Sequence, residues 1–161
     1  MANGFPQPGV GPSLLDRLID LDPESQREAP LNSWEQAREF RAALSRDLSA
    51  LLNTRRAAED FDRRYEEATN SLLTFGILDF TSYNLKKAVE QEQLRRSIER
   101  AVRQFEPRLE RVEVSIEEAD PQRPYLRLQI SAALRGEAGE PVVFDATVQR
   151  DSRRIAVSDR P

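Results

Sequence analysis

The sequence predicts an α+β fold in which N-terminal helices pack on a three- to four-stranded, mainly antiparallel C-terminal sheet. Two patterns support this prediction. Up to residue 105, apolar side chains recur at steps of three and four residues, as they do on one face of a helix. After Pro107 they recur at every second residue, as they do in strands with one buried face. Because proline disfavours helical geometry in the residue before it, Pro107 marks the boundary between helices and sheet.

Length and composition indicate one soluble domain. The chain has 161 residues, of which 39% are hydrophobic and 32% are charged, and domains of this length are common. Residues 1–12 contain three prolines and three glycines and are expected to form a flexible arm. We assign residues 13–157 to the single domain, with helices over 13–105 and the sheet over 109–157, and residues 158–161 to a tail. The chain shows neither a signal-peptide pattern nor an apolar stretch long enough to span a bilayer, which favours a cytoplasmic protein.

Composition also excludes most catalytic chemistry. The chain has no cysteine and no histidine, so disulfides, thiolate zinc sites and catalytic triads that use histidine are excluded. No phosphate-binding glycine motif is present, and the net charge of −4 argues against nucleic-acid binding. The paired carboxylates Asp60/Asp62 and Glu66/Glu67 lie in charge-rich stretches and are interpreted as solvated. The sequence therefore predicts no catalytic residue, no metal site, no cofactor and no nucleic-acid partner.

Three helices are predicted before the sheet. The first begins at Ser13, a favourable N-cap, and ends before Pro23. The second begins at Ser33 and ends near Asn53, and its apolar face consists of Ala37, Phe40, Leu44, Leu48, Leu51 and Leu52. The third covers about 84–105, and its buried stripe consists of Leu94, Ile98, Ala101, Val102 and Phe105.

Two connecting segments are less regular. Residues 55–68 hold nine charges in fourteen positions and are expected to form a solvated helix or an irregular helical loop. Residues 71–80 are apolar without a clean period, and Gly76 interrupts them. A buried loop with a helical turn and a bulged strand fit that pattern equally well.

Three strands, each with one apolar and one polar face, follow the helices. Their apolar positions are Val112, Val114 and Ile116, then Leu126, Leu128, Ile130, Ala132 and Leu134, then Val142, Phe144, Ala146 and Val148. The linkers at 119–124 and 136–141 contain proline and glycine and suit consecutive hairpins. We expect Ile155–Val157 to add a short fourth strand.

The tripeptide Glu106-Pro107-Arg108 lies at the change from helix to sheet and allows two interpretations. Pro107 can be a plain helix stop flanked by ordinary surface charges. Alternatively, it fixes a sharp corner that displays Glu106 and Arg108, and an arginine so placed can bind a partner carboxylate through two hydrogen bonds. Spacing alone favours the helix stop.

An open sheet also leaves two edges with unpaired N–H and C=O groups. Such an edge can be blunted by charged residues, here those around Arg150 to Arg154, or it can accept a strand from a partner chain. The first strand directly follows a helix that covers the sheet, so its side is expected to be shielded. We therefore expect the free edge in Val142–Gln149 or in Ile155–Val157. The candidate docking residues are Val142, Phe144, Thr147, Val148, Ile155 and Val157.

Four segments, in their order along the chain, resemble the small baseplate wedge subunit of type VI secretion systems (the TssE type). That subunit is related to a lysozyme-like wedge protein of contractile phage tails. The segments are Ser13–Leu18, Arg46–Arg56, Ser71–Phe80 and Phe105–Leu109. One departure is Phe75, where the related proteins often have tyrosine before the glycine, so the ring is kept and a hydroxyl is lost.

The resemblance implies a non-enzymatic baseplate component at the inner face of the bacterial inner membrane, without direct membrane insertion. It implies contact with the larger wedge subunits through Glu106, Pro107 and Arg108. It also implies contact with contractile sheath subunits, whose first layer this protein would join to the wedge core and template by strand exchange. Two alternatives from other classes stay open. One is a muramidase-type peptidoglycan hydrolase, which needs a buried acid and a sugar-sized cleft, and the other is a soluble adaptor that binds a regulator.

Overall fold

The computed structural model describes residues 18, 33–56, 64–117, 123–136 and 141–160. Within them, the helical elements are α1 (Ser33–Asn53), α2 (Glu66–Thr69), a 3₁₀ turn (Leu72–Thr74) and α3 (Ala88–Phe105). The strands are β1 (Leu109–Ile116), β2 (Tyr125–Leu134), β3 (Val142–Gln149) and β4 (Ile155–Arg160). They form one antiparallel sheet in the order β1-β2-β3-β4. The predicted α+β class, with helices followed by a mainly antiparallel sheet, is confirmed.

Some predictions fall outside the part of the chain that the structure describes. They are the arm over residues 1–12, most of the first predicted helix, and the pair Asp60/Asp62. Leu18 is described, and it is helical and exposed. Glu66 and Glu67, the other carboxylate pair, are exposed in α2, as expected of solvated charges.

Helix α1 forms where the apolar residues follow the helical period. Its side chains Leu44, Leu48, Leu51 and Leu52 are buried, while Ala37 at the other end of the predicted stripe is exposed. The helix ends at Asn53 as predicted. Thr54 follows it, and both its hydroxyl and its N–H donate to the Ala50 carbonyl oxygen.

The segment between α2 and α3 is a buried loop with a helical turn, one of the two predicted alternatives. After the 3₁₀ turn, a single parallel bridge joins Arg55 and Ile77. Gly76 makes this approach possible, since a Cβ there would lie 2.4 Å from the Thr54 carbonyl oxygen and its φ of +96° disfavours other residues. The loop is thereby fixed against the end of α1.

Helix α3 begins at Ala88, a few residues later than predicted. A turn precedes it, in which Lys87 N–H donates to the Asn84 carbonyl oxygen at 2.8 Å and Lys86 N–H to the Asn84 side chain at 3.1 Å. The predicted stripe is buried at Leu94, Ile98, Ala101 and Val102. Its last member, Phe105, is half-buried and packs edge-on against Phe75, with ring centres 5.2 Å apart.

The sheet differs from the prediction at its two ends. Strand β1 begins at Leu109 and contains a bulge, where the register shifts between Glu110 and Glu113 and Arg111 has a φ of 51°. The bulge lets Leu109 and Val112 both face the core, although they are three residues apart. Strand β4 runs to Arg160, so it includes residues 158–160, which the sequence assigned to a tail.

The core lies between the helices and one face of the sheet. Helix α1 packs against β4, and helix α3 packs against β1. The largest fully buried side chains of this core include Leu44, Leu48, Phe80, Leu94, Ile98, Leu128, Ile130 and Phe144. Each long helix therefore lies beside one edge strand. None of the described helices is long and apolar enough to cross a membrane.

Candidate interaction surfaces

Strand order decides between the two predicted edges. Strand β3 lies between β2 and β4, so the prediction of an edge at Val142–Gln149 is wrong. Three of its candidate docking residues, Val142, Phe144 and Val148, are buried in the core, and Thr147 pairs with residues on both neighbouring strands. The sequence pattern could not reveal this, because internal and edge strands of a one-sided sheet show the same alternation. Ile155 and Val157 lie in β4, at the edge of the described sheet.

Side chains of α1 occupy the outward backbone groups of β4. The Asn53 carboxamide accepts from Ile155 N–H at 3.0 Å and donates to the Ile155 carbonyl oxygen at 2.7 Å. Earlier in α1, the Ser45 hydroxyl donates to the Val157 carbonyl oxygen at 3.1 Å. Outward and inward directions alternate along a strand, so Asp159 is the next residue whose backbone faces away from β3. Its carboxylate lies 3.9 Å from the Arg41 guanidinium.

Arginines of α3 occupy the outward carbonyl groups of β1 at the opposite edge. Arg103 donates to the Val112 carbonyl oxygen from Nη2 at 2.7 Å and from Nε at 3.2 Å. Arg95 donates from Nη1 to the Val114 carbonyl oxygen at 3.0 Å. An incoming strand would have to displace both guanidinium groups, so the edge is closed.

Carboxylates of α3 hold these arginines in place. Glu92 accepts from Arg95 Nε at 2.7 Å and from Arg96 Nε at 2.6 Å. Glu99 forms ion pairs with Arg95 and, at 2.7 Å, with Arg103. The hydrogen bonds from Arg95 and Arg96 lower the pKa of Glu92 to about 2. The bonds to Glu92 and Glu99 raise the pKa of Arg95, so the Glu92–Arg95 pair stays charged near neutral pH.

The corner between α3 and β1 is held by a second set of ion pairs. Glu106 leaves the helical conformation, with a φ of −116° and a ψ of 82°. Arg108 binds its carboxylate through Nε at 2.7 Å and Nη2 at 2.6 Å. Nη2 also donates to Asp47 at 2.7 Å, and the guanidinium carbon lies 5.8 Å from the ring centre of Phe40. The corner thus joins the end of α3, the start of β1 and helix α1.

This geometry differs from a tripeptide that displays both charges to a partner. Glu106 is only 5% exposed, the Arg108 side chain is 13% exposed, and Pro107 is the exposed member. Hydrogen bonds to Glu106 and Asp47 raise the pKa of the Arg108 guanidinium. Its Nη1 is buried and has no hydrogen-bond partner among the described residues. The charged groups of Glu106 and Arg108 therefore bind each other, and this pair fixes the position of Pro107.

The side chains that close the two edges are not among the predicted site residues. They are Ser45, Asn53, Arg95 and Arg103. Asparagine is common at helix ends, and arginines with carboxylates at i, i+4 are common on exposed helix faces, so neither pattern points to a strand. The backbone partners lie between 9 and 112 residues away in sequence. No local signal could have identified them.

Two depressions on the surface bear on the hydrolase alternative. One, of about 390 Å³, is lined by residues that include Lys86, Arg150 and Arg153. The other, of about 270 Å³, lies along α3. No described residue that lines either depression is aspartate or glutamate. The described part of the chain also holds no group of acidic side chains placed to bind a metal ion. Neither depression offers the carboxylate pair that glycoside hydrolysis uses.

Helix side chains bond to the backbone of both edge strands, and ion pairs hold the corner between α3 and β1. A family model described as baseplate wedge protein gp25 matches residues 38–138. The match covers more than half of the chain, and the chain therefore belongs to the baseplate wedge protein gp25 family. The resemblance seen in the sequence is confirmed at this level. The matched range includes the Glu106-Pro107-Arg108 corner and ends before β3 and β4. Comparison with curated proteins found no match.

Proposed function

We propose that this protein is a structural component of the baseplate of a contractile type VI secretion machine. There it joins the wedge core to the first layer of the sheath and templates sheath assembly. Family membership supports the structural role, and the four segments that resemble secretion-system subunits favour this kind of machine. Its partners are the larger wedge subunits and the sheath subunits. It acts in the cytoplasm at the inner face of the inner membrane, as one domain that begins near residue 13 and includes β4.

The position of β4 carries the proposed sheath contact. Of the two edge strands, β1 has charged donors on consecutive outward carbonyl groups. Among the described residues, a neutral amide bonds to the outward backbone of β4 at Ile155 and a hydroxyl at Val157, and the outward backbone continues to Asp159. A strand that adds by main-chain hydrogen bonds needs free or easily freed groups. The β4 edge meets this requirement better than the β1 edge.

The substitution Asp159→Pro tests strand addition at β4. Proline removes an outward-facing N–H and leaves the bonds between β3 and β4 in place, so the subunit should fold with a loss of about 1 kcal/mol or less. We expect the variant to co-purify with the wedge subunits and to fail to start sheaths, seen as loss of sheath foci in cells. The control Asp159→Ala removes the same carboxylate and keeps the N–H. Normal sheath foci on the proline variant would contradict templating by β4.

The corner carries the proposed contact with the wedge core. Pro107 is exposed there, and the Glu106–Arg108 pair holds it at a fixed angle. Pro107→Ala should leave the ion pair intact, change the free energy of unfolding by about 1 kcal/mol or less and weaken co-purification with the wedge subunits. Co-purification equal to that of the natural protein would place the contact elsewhere.

The non-enzymatic part of the proposal has its own test. Purified protein should not clear a suspension of peptidoglycan in a turbidity assay, because the described depressions lack lining carboxylates. Clearing at enzyme-like rates would favour the muramidase alternative. Sheath and spike genes beside this one would favour the baseplate over a soluble adaptor.

A further inference from the structure

The contact between Asn53 and Ile155 has the form of a strand–strand contact. In an antiparallel sheet, two residues of a hydrogen-bonded pair exchange both of their N–H···O=C bonds. The Asn53 carboxamide makes the same two bonds to Ile155, since Oδ1 accepts from its N–H at 3.0 Å and Nδ2 donates to its carbonyl oxygen at 2.7 Å. A side-chain amide therefore stands where the backbone of a neighbouring strand would stand.

The Asn53 carboxamide is accessible and makes a further hydrogen bond outside β4. Asn53 is an exposed residue at the last position of α1. Its Nδ2 also donates to the Ser49 carbonyl oxygen at 2.7 Å. Release from Ile155 would leave that bond and solvent as partners, so the amide would not become a buried group without hydrogen bonds. Release of Asn53 needs a rotamer change, and a strand that extends along β4 must also displace the Ser45 hydroxyl from the Val157 carbonyl oxygen.

We propose that the Asn53 carboxamide is a placeholder for one residue of an incoming strand, and that a partner strand displaces it when it adds to β4. The inference rests on the proposed strand addition at this edge. It identifies Ile155 as a docking position and Asn53 as the residue that competes for it. In the free subunit, the placeholder satisfies the edge and so lowers its tendency to pair with unrelated strands.

Nuclear magnetic resonance of the full chain can follow the exchange of partners directly. The probe is a synthetic peptide that contains the terminal strand of the sheath subunit from the same machine. On saturation with this peptide, the Asn53 side-chain amide signals should move to solvent-exposed positions. The Ile155 N–H should stay protected from hydrogen exchange throughout. This swap would not occur if Asn53 had a purely structural role.

A pair of variants adds an affinity measurement. Asn53→Ala removes the competitor, so the peptide should bind about tenfold more tightly, as expected when a contact of ordinary hydrogen-bond strength no longer has to be broken. Thr54→Val is the matched control, because it removes a hydroxyl bond to Ala50 at the same helix end without touching β4. It should bind the peptide as the natural protein does.

The outcomes separate this inference from the proposed function. If the peptide protects Asp159 while Asn53 stays bonded to Ile155, and Asn53→Ala binds with unchanged affinity, the placeholder is wrong and strand addition stands. If the peptide binds neither the natural protein nor Asn53→Ala, both are overturned. Should Asn53→Ala fail to fold, the amide signals of the natural protein still decide the question.

Discussion

The two edges of the sheet are closed by different chemistry. At β1, two arginines donate to backbone carbonyl groups and are themselves held by Glu92 and Glu99. At β4, one amide and one hydroxyl of α1 bond to the strand backbone, and no ion pair among the described residues anchors either side chain. A charged donor bonds more strongly than a neutral one. The comparison shows that ion-paired arginines bond to the backbone of one edge and that neutral side chains bond to the backbone of the other.

The largest expected effect on the free energy of unfolding distinguishes the inner strand β3 from the two edge strands. Thr147 of β3 lies opposite Ala156, whose backbone faces β3 because its neighbours Ile155 and Val157 face outward. Thr147→Pro removes a ladder donor inside the sheet and should lower the free energy of unfolding by about 4 kcal/mol. Chemical denaturation of the isolated subunit measures this. A loss as small as that expected for Asp159→Pro would mean that β3 is not internal in solution.

The corner that links the two helices comes next. Arg108→Ala leaves the buried Glu106 carboxylate and Asp47 without their shared cation, so we expect a loss of about 3 kcal/mol in the free energy of unfolding. Arg46→Ala is the control, because Arg46 reaches the same aspartate at 3.3 Å from an exposed position and should cost about 0.5 kcal/mol or less.

The comparison of these two arginine variants also tests the wedge contact. Co-purification with the wedge subunits is measured at a temperature where Arg108→Ala remains folded. Loss of binding beyond the unfolded fraction supports a direct contact at the corner. An unfolding transition equal to that of Arg46→Ala would show that the corner ion pairs do not hold the subunit together.

Sequence pattern predicted the elements well and their neighbours poorly. The stripe from Leu44 to Leu52 and the alternation in the strands follow from local periodicity, and the structure has them at those positions. The bulge at Arg111 and the extension of β4 to Arg160 depend on pairing with distant strands. Strand order has the same origin. The sequence pattern left the edge open between Val142–Gln149 and Ile155–Val157, since nothing within either segment distinguishes an inner strand from an outer one.

A smaller effect tests whether the charged contacts are needed to close β1. Arg95→Ala together with Arg103→Ala should cost about 1–2 kcal/mol in stability and expose the carbonyl groups of Val112 and Val114. Two copies can then pair through their β1 edges about a two-fold axis. We expect the double variant to dimerise with increasing concentration in sedimentation velocity.

The control for edge opening comes from the same helix. Arg96→Ala removes an arginine whose guanidinium bonds to Glu92 on the same helix. Among the described residues it makes no hydrogen bond to β1, so this variant should stay monomeric. If the double variant is also monomeric at every concentration, arginine contacts are not what closes this edge, and packing of α3 against β1 is sufficient.

The smallest expected effect is a difference between the two edges in how their contribution to stability depends on pH. Glu92 has its pKa lowered to about 2 by Arg95 and Arg96. A carboxyl group with a lowered pKa in the folded state adds stability above its ordinary value of 4.5, and this stability is lost as the pH falls toward 2. The stability difference between the natural protein and Arg95→Ala should therefore shrink between pH 5 and pH 2. The difference for Asn53→Ala should not change, because an amide does not titrate.

The Glu92 carboxyl signal should titrate near 2 in the natural protein and closer to 4.5 in Arg95→Ala. Equal pH dependence in the two variants would mean that the edges do not differ in charge chemistry.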